Sequence, residues 1–174
     1  IQHKKVLAIL YKSFKAESAN TIVLHPWWLK EYKNRWFLFG KKADTILNLA
    51  LDRIISIDFA EHIIYQPSTI ESVDDYFKDI IGVTMSMSLR PEMVRFWVDA
   101  HNAPYIETKP LHHSQTIIEK YADGSVIYEI KVQLNFELER ELLGFGASLK
   151  VISPDKLRKK MIKIIENQAK LYQE

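Results

Sequence analysis

The chain has 174 residues, of which 47% are hydrophobic and 26% charged, and it contains no cysteine. This apolar content excludes a disordered tail, and the absence of cysteine excludes a disulfide framework and thiolate chemistry. The formal net charge of +2 does not by itself indicate a nucleic-acid partner. Residues 1–65 nevertheless carry ten Lys and Arg against six Asp and Glu. The positive charge is therefore concentrated in the N-terminal part of the chain.

The sequence contains neither a membrane-spanning segment nor a signal peptide by pattern. No apolar run approaches the roughly 18 residues that cross a bilayer, and the N-terminus has no apolar stretch followed by a cleavage site. The chain begins with Ile1 instead of methionine, which predicts a fragment or a processed product. We expect a cytoplasmic protein with no membrane partner.

Residues 1–65 are predicted to form β structure. Short apolar, β-branched runs alternate here with polar turns. The predicted strands cover residues 6–14, 21–24, 36–39, 46–49 and 54–59, with the second ending at His25-Pro26 and the third at Gly40. Five short strands with tight turns favour a small closed barrel, because closure removes exposed sheet edges.

A polar bridge over residues 66–71 leads to a short predicted helix. Ser72 and Asp75 have the spacing of a capping box, and Gly82 is a natural helix stop. This segment, residues 66–82, is predicted to link two domains.

Residues 83–174 are predicted to alternate between strands and helices. We expect a strand over 83–89, a helix from Pro91 with apolar positions up to Ala100, a hairpin turning at Asp123-Gly124, a helix over 136–143 capped by Asn135, a strand over 147–152 and a final helix opened by Pro154. The order β-α-β-β-α-β with a terminal helix is the ferredoxin-like pattern. The predicted fold class is therefore α+β, a barrel followed by a ferredoxin-like module.

Motifs for catalysis, metals or cofactors have little support in the sequence. The six histidines include no HExxH spacing, and the adjacent His112 and His113 would face opposite sides of a strand. Ser114 has no nucleophile elbow, and Gly144-Phe145-Gly146 lacks the third glycine of a dinucleotide loop. We therefore predict no cofactor, no metal and no enzymatic activity.

An aromatic and basic strand segment, Arg35-Trp36-Phe37-Leu38, is the better candidate for function. It could simply pack on both faces, or it could offer the stacking and phosphate-binding surface that single-strand binders use. For Arg53 too, both a structural and a ligand-binding role are possible. Its charge could pair with Asp52, or it could enter a ligand pocket as a phosphate clamp.

The first half of the chain resembles the WYL domain. The resemblance rests on Pro26, Trp36-Phe37-Leu38, Leu51-Asp52-Arg53-Ile54 and Tyr11-Lys12-Ser13-Phe14. Phe37 replaces the tyrosine that gives the domain its name.

The second half is similar to the WCX extension that commonly follows a WYL domain. The matching residues are Tyr76-Phe77, Gly82-Val83-Thr84, His113-Ser114-Gln115, Asp123-Gly124, Glu137-Leu138, Leu143-Gly144-Phe145-Gly146, Pro154 and Leu157-Arg158. The resemblance thus extends over nearly the whole chain and implies a WYL domain over 1–65, a linker over 66–82 and a WCX domain over 83–174.

This resemblance implies the effector region of a bacterial transcriptional regulator. WYL proteins carry a winged helix-turn-helix that reads DNA, an Sm-like, SH3-type barrel that senses a nucleic-acid or nucleotide ligand, and a WCX module that assists dimerisation. We expect DNA contact through an N-terminal domain that this chain lacks, and a homodimer. The ligand-binding residues implied by the resemblance are Tyr11, Ser13, His25, Trp36, Phe37 and Arg53.

Two departures weaken a phosphate-rich ligand. Phe37 lacks the tyrosine hydroxyl, and Leu47-Asn48 stand where an arginine often precedes the Leu-Asp-Arg-Ile segment. Each lost cation removes a phosphate contact. The alternative is a ligand-free dimerisation or protein-interaction module.

Overall fold

The computed structural model describes residues 1–173 of the chain. They form two compact units, Ile1–Val73 (unit 1) and the residues from Asp74 onward (unit 2). Both units combine an antiparallel sheet with short helical elements, so the α+β class is confirmed.

Unit 1 contains five strands that pair in the order β4-β3-β2-β1-β5. Their bounds are β1 Leu7–Tyr11, β2 Asn20–Tyr32, β3 Arg35–Lys42, β4 Thr45–Ala50 and β5 Ile54–Phe59, with a 3₁₀ turn over Leu51–Arg53. All five predicted strands are present. In the part of the chain that the structure describes, β4 and β5 form the two edges, so the pairing is that of an open sheet and not of the closed barrel.

Strand β2 is longer than predicted. Its residues from Asn20 to Leu24 pair with β1, and those from His25 onward pair with β3. The expectation that His25-Pro26 ends the strand is wrong, because a bulge between Pro26 and Trp28 accommodates the proline without breaking the pairing. The strand therefore serves two partners in succession.

The core of unit 1 is a small aliphatic cluster on one face of the sheet. Ile9, Leu24, Leu38 and Leu49, one from each of β1 to β4, are all buried. Leu7, Ile22, Leu47, Tyr11 and Ile54 pack against them. Burial of apolar surface by these alternating positions holds the sheet together.

Unit 2 contains a four-stranded antiparallel sheet in the order β7-β8-β6-β9. Its elements are β6 Glu92–Val98, α2 Ala103–Thr108, β7 Thr116–Lys120, β8 Val126–Val132, α3 Phe136–Leu143, a 3₁₀ turn Gly146–Ser148, β9 Leu149–Ser153 and α4 Asp155–Lys170; α1, Val73–Phe77, lies at the boundary with unit 1. The hairpin, α3 and α4 are where the sequence predicts them.

Two predicted elements are wrong. Residues 83–89 form no strand, and the predicted helix from Pro91 is strand β6. Val94, Phe96 and Val98 are fully buried while the residues between them are more exposed, which is the alternation of a half-buried strand. The helical spacing of the apolar residues was thus overridden by pairing with β8. The predicted element order still appears, from β6 to α4.

The helices of unit 2 cover one face of its sheet. Val94, Phe96, Tyr128 and Ile130 from the sheet share a buried core with Leu138 and Leu142 of α3, Leu157 and Met161 of α4, and Ile106 of α2. The Tyr128 hydroxyl donates to the Ala103 carbonyl at 2.9 Å within this core. Within residues 1–173, none of the helices has the length and apolarity needed to cross a membrane.

Candidate functional site

Arg53 ends the 3₁₀ turn between β4 and β5, at one end of the sheet of unit 1. Its carbonyl accepts the Lys12 amide at 3.2 Å, which ties the turn to the residues that follow β1. The Arg53 Nε atom is buried and has no hydrogen-bond partner among residues 1–173. A buried donor without an acceptor is costly, so it indicates a position for water or a ligand atom.

The Arg53 guanidinium stacks on an exposed aromatic ring. Its central carbon lies 4.1 Å from the centroid of Phe14, and Phe14 is 76% exposed. An exposed cation–π pair of this kind contributes roughly 0.5–1 kcal/mol. It leaves part of the Phe14 ring open to a second planar group.

Asp52 pairs with Arg35 of β3. The two side chains are 3.2 Å apart and both are about half exposed. The suggestion that Asp52 neutralises its neighbour Arg53 is therefore not what the structure shows. We use the name Arg53 surface for the residues Lys12, Phe14, Arg35, Asp52 and Arg53. This surface contains three cations, one anion and one exposed aromatic ring.

Of the six residues implied by the resemblance, Tyr11, Ser13 and Arg53 come together. Tyr11 pairs with Ile54, directly after Arg53, and its side chain packs against the core. Ser13 lies half-buried between Lys12 and Phe14 and accepts the Ala16 amide through its carbonyl. These residues flank the Arg53 surface on the side of β1.

Phe37 and Trp36 approach the same end of the sheet from β3. Phe37 is half-buried and pairs with Ala50, the residue before the 3₁₀ turn. Trp36 is 50% exposed and pairs with Glu31, whereas Leu38 two positions on is buried in the core. The strand therefore packs at Leu38 and leaves the Trp36 ring partly open to solvent.

His25 lies apart from the other five. It is buried in β2 opposite Lys41, about 17 Å along the strand from Asn20, which pairs with Tyr11. Its Nδ1 accepts the Gln66 amide at 3.1 Å, and its ring contacts Tyr65. Burial and, second, the charge of Lys41 lower the pKa of His25. The neutral ring thus anchors the segment that follows β5.

The same segment is anchored by two further hydrogen bonds. The Trp27 indole donates to the Gln66 carbonyl at 3.0 Å, and the Tyr65 hydroxyl donates to the Pro26 carbonyl at 2.9 Å. These contacts explain the buried polar groups around His25 without a ligand. Over residues 1–173, no cluster of three His, Asp or Glu side chains is arranged to hold a metal ion.

Phe14 is a candidate site residue that is not among the six predicted from the sequence. The sequence places it far from Arg53, and only the pairing of β1 with β5 brings the two together. Its position at the end of the Tyr11-Lys12-Ser13-Phe14 motif was the available signal.

Comparisons with known families agree with this architecture. The WYL domain matches residues 1–59, and the WCX domain matches residues 90–169. The chain therefore contains a WYL domain followed by a WCX domain. No curated protein matches the chain at a significant level.

Two solved structures are similar to the chain at low sequence identity. A structure described as a CRISPR Cas-related protein is 13% identical with a TM-score of 0.51, and the match covers 99% of this chain and 48% of that one. Proteasome accessory factor B/C of Arthrobacter aurescens is 14% identical with a TM-score of 0.39, covering 91% of this chain and 24% of that one. The chain thus spans about half of the CRISPR Cas-related protein and about a quarter of the proteasome accessory factor, and the likeness to the CRISPR Cas-related protein supports the fold.

Proposed function

We propose that this chain is the ligand-sensing effector region of a DNA-binding transcriptional regulator, and that the Arg53 surface binds a nucleic-acid or nucleotide ligand. The observation that carries the proposal is the buried Arg53 Nε without a hydrogen-bond partner among residues 1–173, next to the exposed Phe14 ring. A phosphate oxygen would satisfy that donor, since arginine forms charge-assisted hydrogen bonds with phosphate.

The geometry supports one binding arrangement. A base stacks on the open face of Phe14, and its phosphate lies near Arg53 and Lys12. Stacking of a base on an aromatic side chain contributes roughly 1–3 kcal/mol and tolerates different bases. Tyr11 and Ser13 flank this position, Phe37 and Trp36 border it from β3, and His25 acts at a distance by holding the segment after β5.

The finer fold and domain assignments belong to the same proposal. The order β4-β3-β2-β1-β5 supports an Sm-like arrangement of strands over residues 1–65, as an open sheet, and the order β7-β8-β6-β9 supports a ferredoxin-like domain over 83–174, joined by 66–82. In this role the protein acts without catalysis in the cytoplasm. Ligand binding shifts the population of one arrangement and so alters DNA binding by a separate domain.

The test is a titration of the chain with fluorescent single-stranded oligothymidylate at low salt. We expect the Arg53→Ala variant to bind roughly ten to a hundred times more weakly, since a charge-assisted hydrogen bond contributes roughly 1.5–3 kcal/mol. The slope of log affinity against log salt should also fall by about 0.7, one phosphate contact for a single strand.

Arg140→Ala is the matched control. Arg140 stacks on Phe136 in unit 2 with its guanidinium carbon 4.3 Å from the ring centroid, so the variant removes the same charge and the same kind of contact. Its affinity should stay at the level of the wild type. An equal loss in both variants, or no binding by the wild type, would refute the nucleic-acid ligand.

A homodimerisation module is the second candidate. The observation in its favour is the edge strand β5, where at least half of the surface of each of Ile55, Ile57 and Phe59 is exposed. Exposed apolar edge strands are templates for pairing with another chain. Light scattering should then show a dimer that Ile57→Lys dissociates, and a monomer at high concentration would eliminate this candidate.

A further inference from the structure

The face of the unit 2 sheet that points away from its helices carries its own cluster of aromatic and basic residues. Along β6 the buried Val94, Phe96 and Val98 face the helices, so Trp97 lies on the opposite face. Trp97 pairs with Ile127 on one side and with Lys150 on the other. This places an indole ring at the centre of the open face.

A cavity of about 430 Å³ opens on this face and extends past the edge strand β9 to Val151 and to Arg158 of α4. Trp97, Tyr121, Ile127 and Ile152 form its apolar and aromatic walls, and Lys150 and Arg158 supply its two cations. Its volume is within the range of sites that hold small organic ligands. The lining therefore combines flat apolar surface with positive charge.

The two cations are weakly neutralised. Lys150 Nζ lies 6.0 Å from the centroid of the Trp97 ring. Among residues 1–173, the one ion pair of Arg158 is a long contact to Asp155, 3.8 Å between Nη1 and Oδ1. A carboxylate also contacts the lining, because Glu119 accepts the Tyr121 hydroxyl at 2.9 Å. The lining residues thus favour an anion.

We propose that this cavity is a second ligand site, which takes a nucleotide: an aromatic base with a phosphate attached. The indole of Trp97 provides the stacking surface, because a base offers a π face of matching size. Lys150 and Arg158 contact the phosphates through charge-assisted hydrogen bonds. This site is independent of the Arg53 surface, since all of its lining residues belong to unit 2.

Binding at this cavity can be followed through the NMR signal of a single tryptophan. Of the four tryptophans in the chain, Trp97 is the one in unit 2, so the loss of one indole N–H signal in Trp97→Leu identifies its NMR peak. The full chain is titrated with ADP, and separately with adenosine and inorganic phosphate. We expect ADP to shift the Trp97 indole peak, adenosine to shift it more weakly, and phosphate to compete with ADP.

Two variants test the phosphate contacts. Lys150→Gln and Arg158→Gln should each weaken ADP binding by about tenfold. Lys131→Gln is the control, because Lys131 is exposed on β8 and does not line the cavity. Its ADP affinity should remain within about twofold of the wild type, as expected for a distant surface charge.

The outcomes separate this site from the one in unit 1. A Trp97 shift that persists in Arg53→Ala and needs about ten times more ADP in Lys150→Gln supports the second site, whatever the result with oligothymidylate. No Trp97 shift at millimolar ADP, or a shift equally reduced in Lys131→Gln, overturns it. ADP binding that depends on Arg53 and moves only the other indole peaks also overturns it, while supporting the proposed function. A Trp97 response to oligothymidylate but not to ADP overturns the nucleotide as occupant.

Discussion

Asn135 is predicted to contribute more to stability than a helix cap does. Its side-chain oxygen accepts the Leu138 amide at 2.9 Å at the start of α3. Its side-chain nitrogen donates to the carbonyls of Ile81 at 2.8 Å and Thr84 at 3.0 Å. The residue therefore joins α3 to the segment before β6, and Asn135→Ala removes three hydrogen bonds at a buried position.

The expected loss can be estimated from these contacts. Removing an N-cap costs about 1 kcal/mol. Each of the two donated hydrogen bonds contributes about 1 kcal/mol, and more where a carbonyl is left buried without a partner. Asn135→Ala should lower the free energy of unfolding of unit 2 by about 3 kcal/mol. Asn135→Ser keeps a capping oxygen and should recover about 1 kcal/mol of that loss.

Urea unfolding followed through the Trp97 indole signal measures unit 2 directly. Hydrogen exchange of the Leu138 amide gives a local measurement, since its protection should be lost in Asn135→Ala and largely kept in Asn135→Ser. A loss below about 1 kcal/mol in the alanine variant would show that the donated bonds contribute nothing. Equal stability of the two variants would refute the role of the cap.

Three further predictions concern stability. Tyr128→Phe removes the hydrogen bond to a main-chain carbonyl of α2 and should cost about 1–2 kcal/mol in urea unfolding. Gly82→Ala should lower the melting temperature by roughly several degrees. The φ angle of Gly82 is +88°, and an added Cβ would lie 2.5 Å from Glu137 Cγ. His25 has a lowered pKa through burial and Lys41, so the unfolded state binds more protons, and stability should fall as pH decreases through about 6.5 and below. The urea midpoint measured across that pH range tests this, and His25→Asn should reduce the dependence.

Local sequence patterns predicted much of the fold. The errors arise where contacts with a neighbouring strand determine the secondary structure. The hairpin at Asp123-Gly124 and the helix capped by Asn135 were identified because turn and cap residues act locally. The apolar residues of β6 fit both a helix and a strand, and the contacts with β8 and β9 select the strand. Pro26 was read as a strand end because the bulge that accommodates it depends on β3.

The candidate site was predictable to a similar extent. Arg53 and Trp36 stood out by residue type and neighbourhood. The stacking of Arg53 on Phe14 and the pairing of Arg35 with Asp52 join segments that are distant in sequence. No local pattern encodes such contacts, so they appear only when the strands are assembled.

The strand order of unit 1 has a consequence for how the Arg53 surface is formed during folding. Strands β2, β3 and β4 follow one another through short turns; Lys33 and Asn34, both with positive φ, make the first of them. By contrast, β1 reaches β5 across nearly the whole unit, with Ile9 opposite Ile57. Contacts of high sequence separation carry the larger loop-closure cost and tend to form late. We therefore expect Phe14 and Arg53 to meet at one of the last folding steps, so that a chain still incompletely folded, or emerging from the ribosome, has no assembled surface with which to bind a ligand.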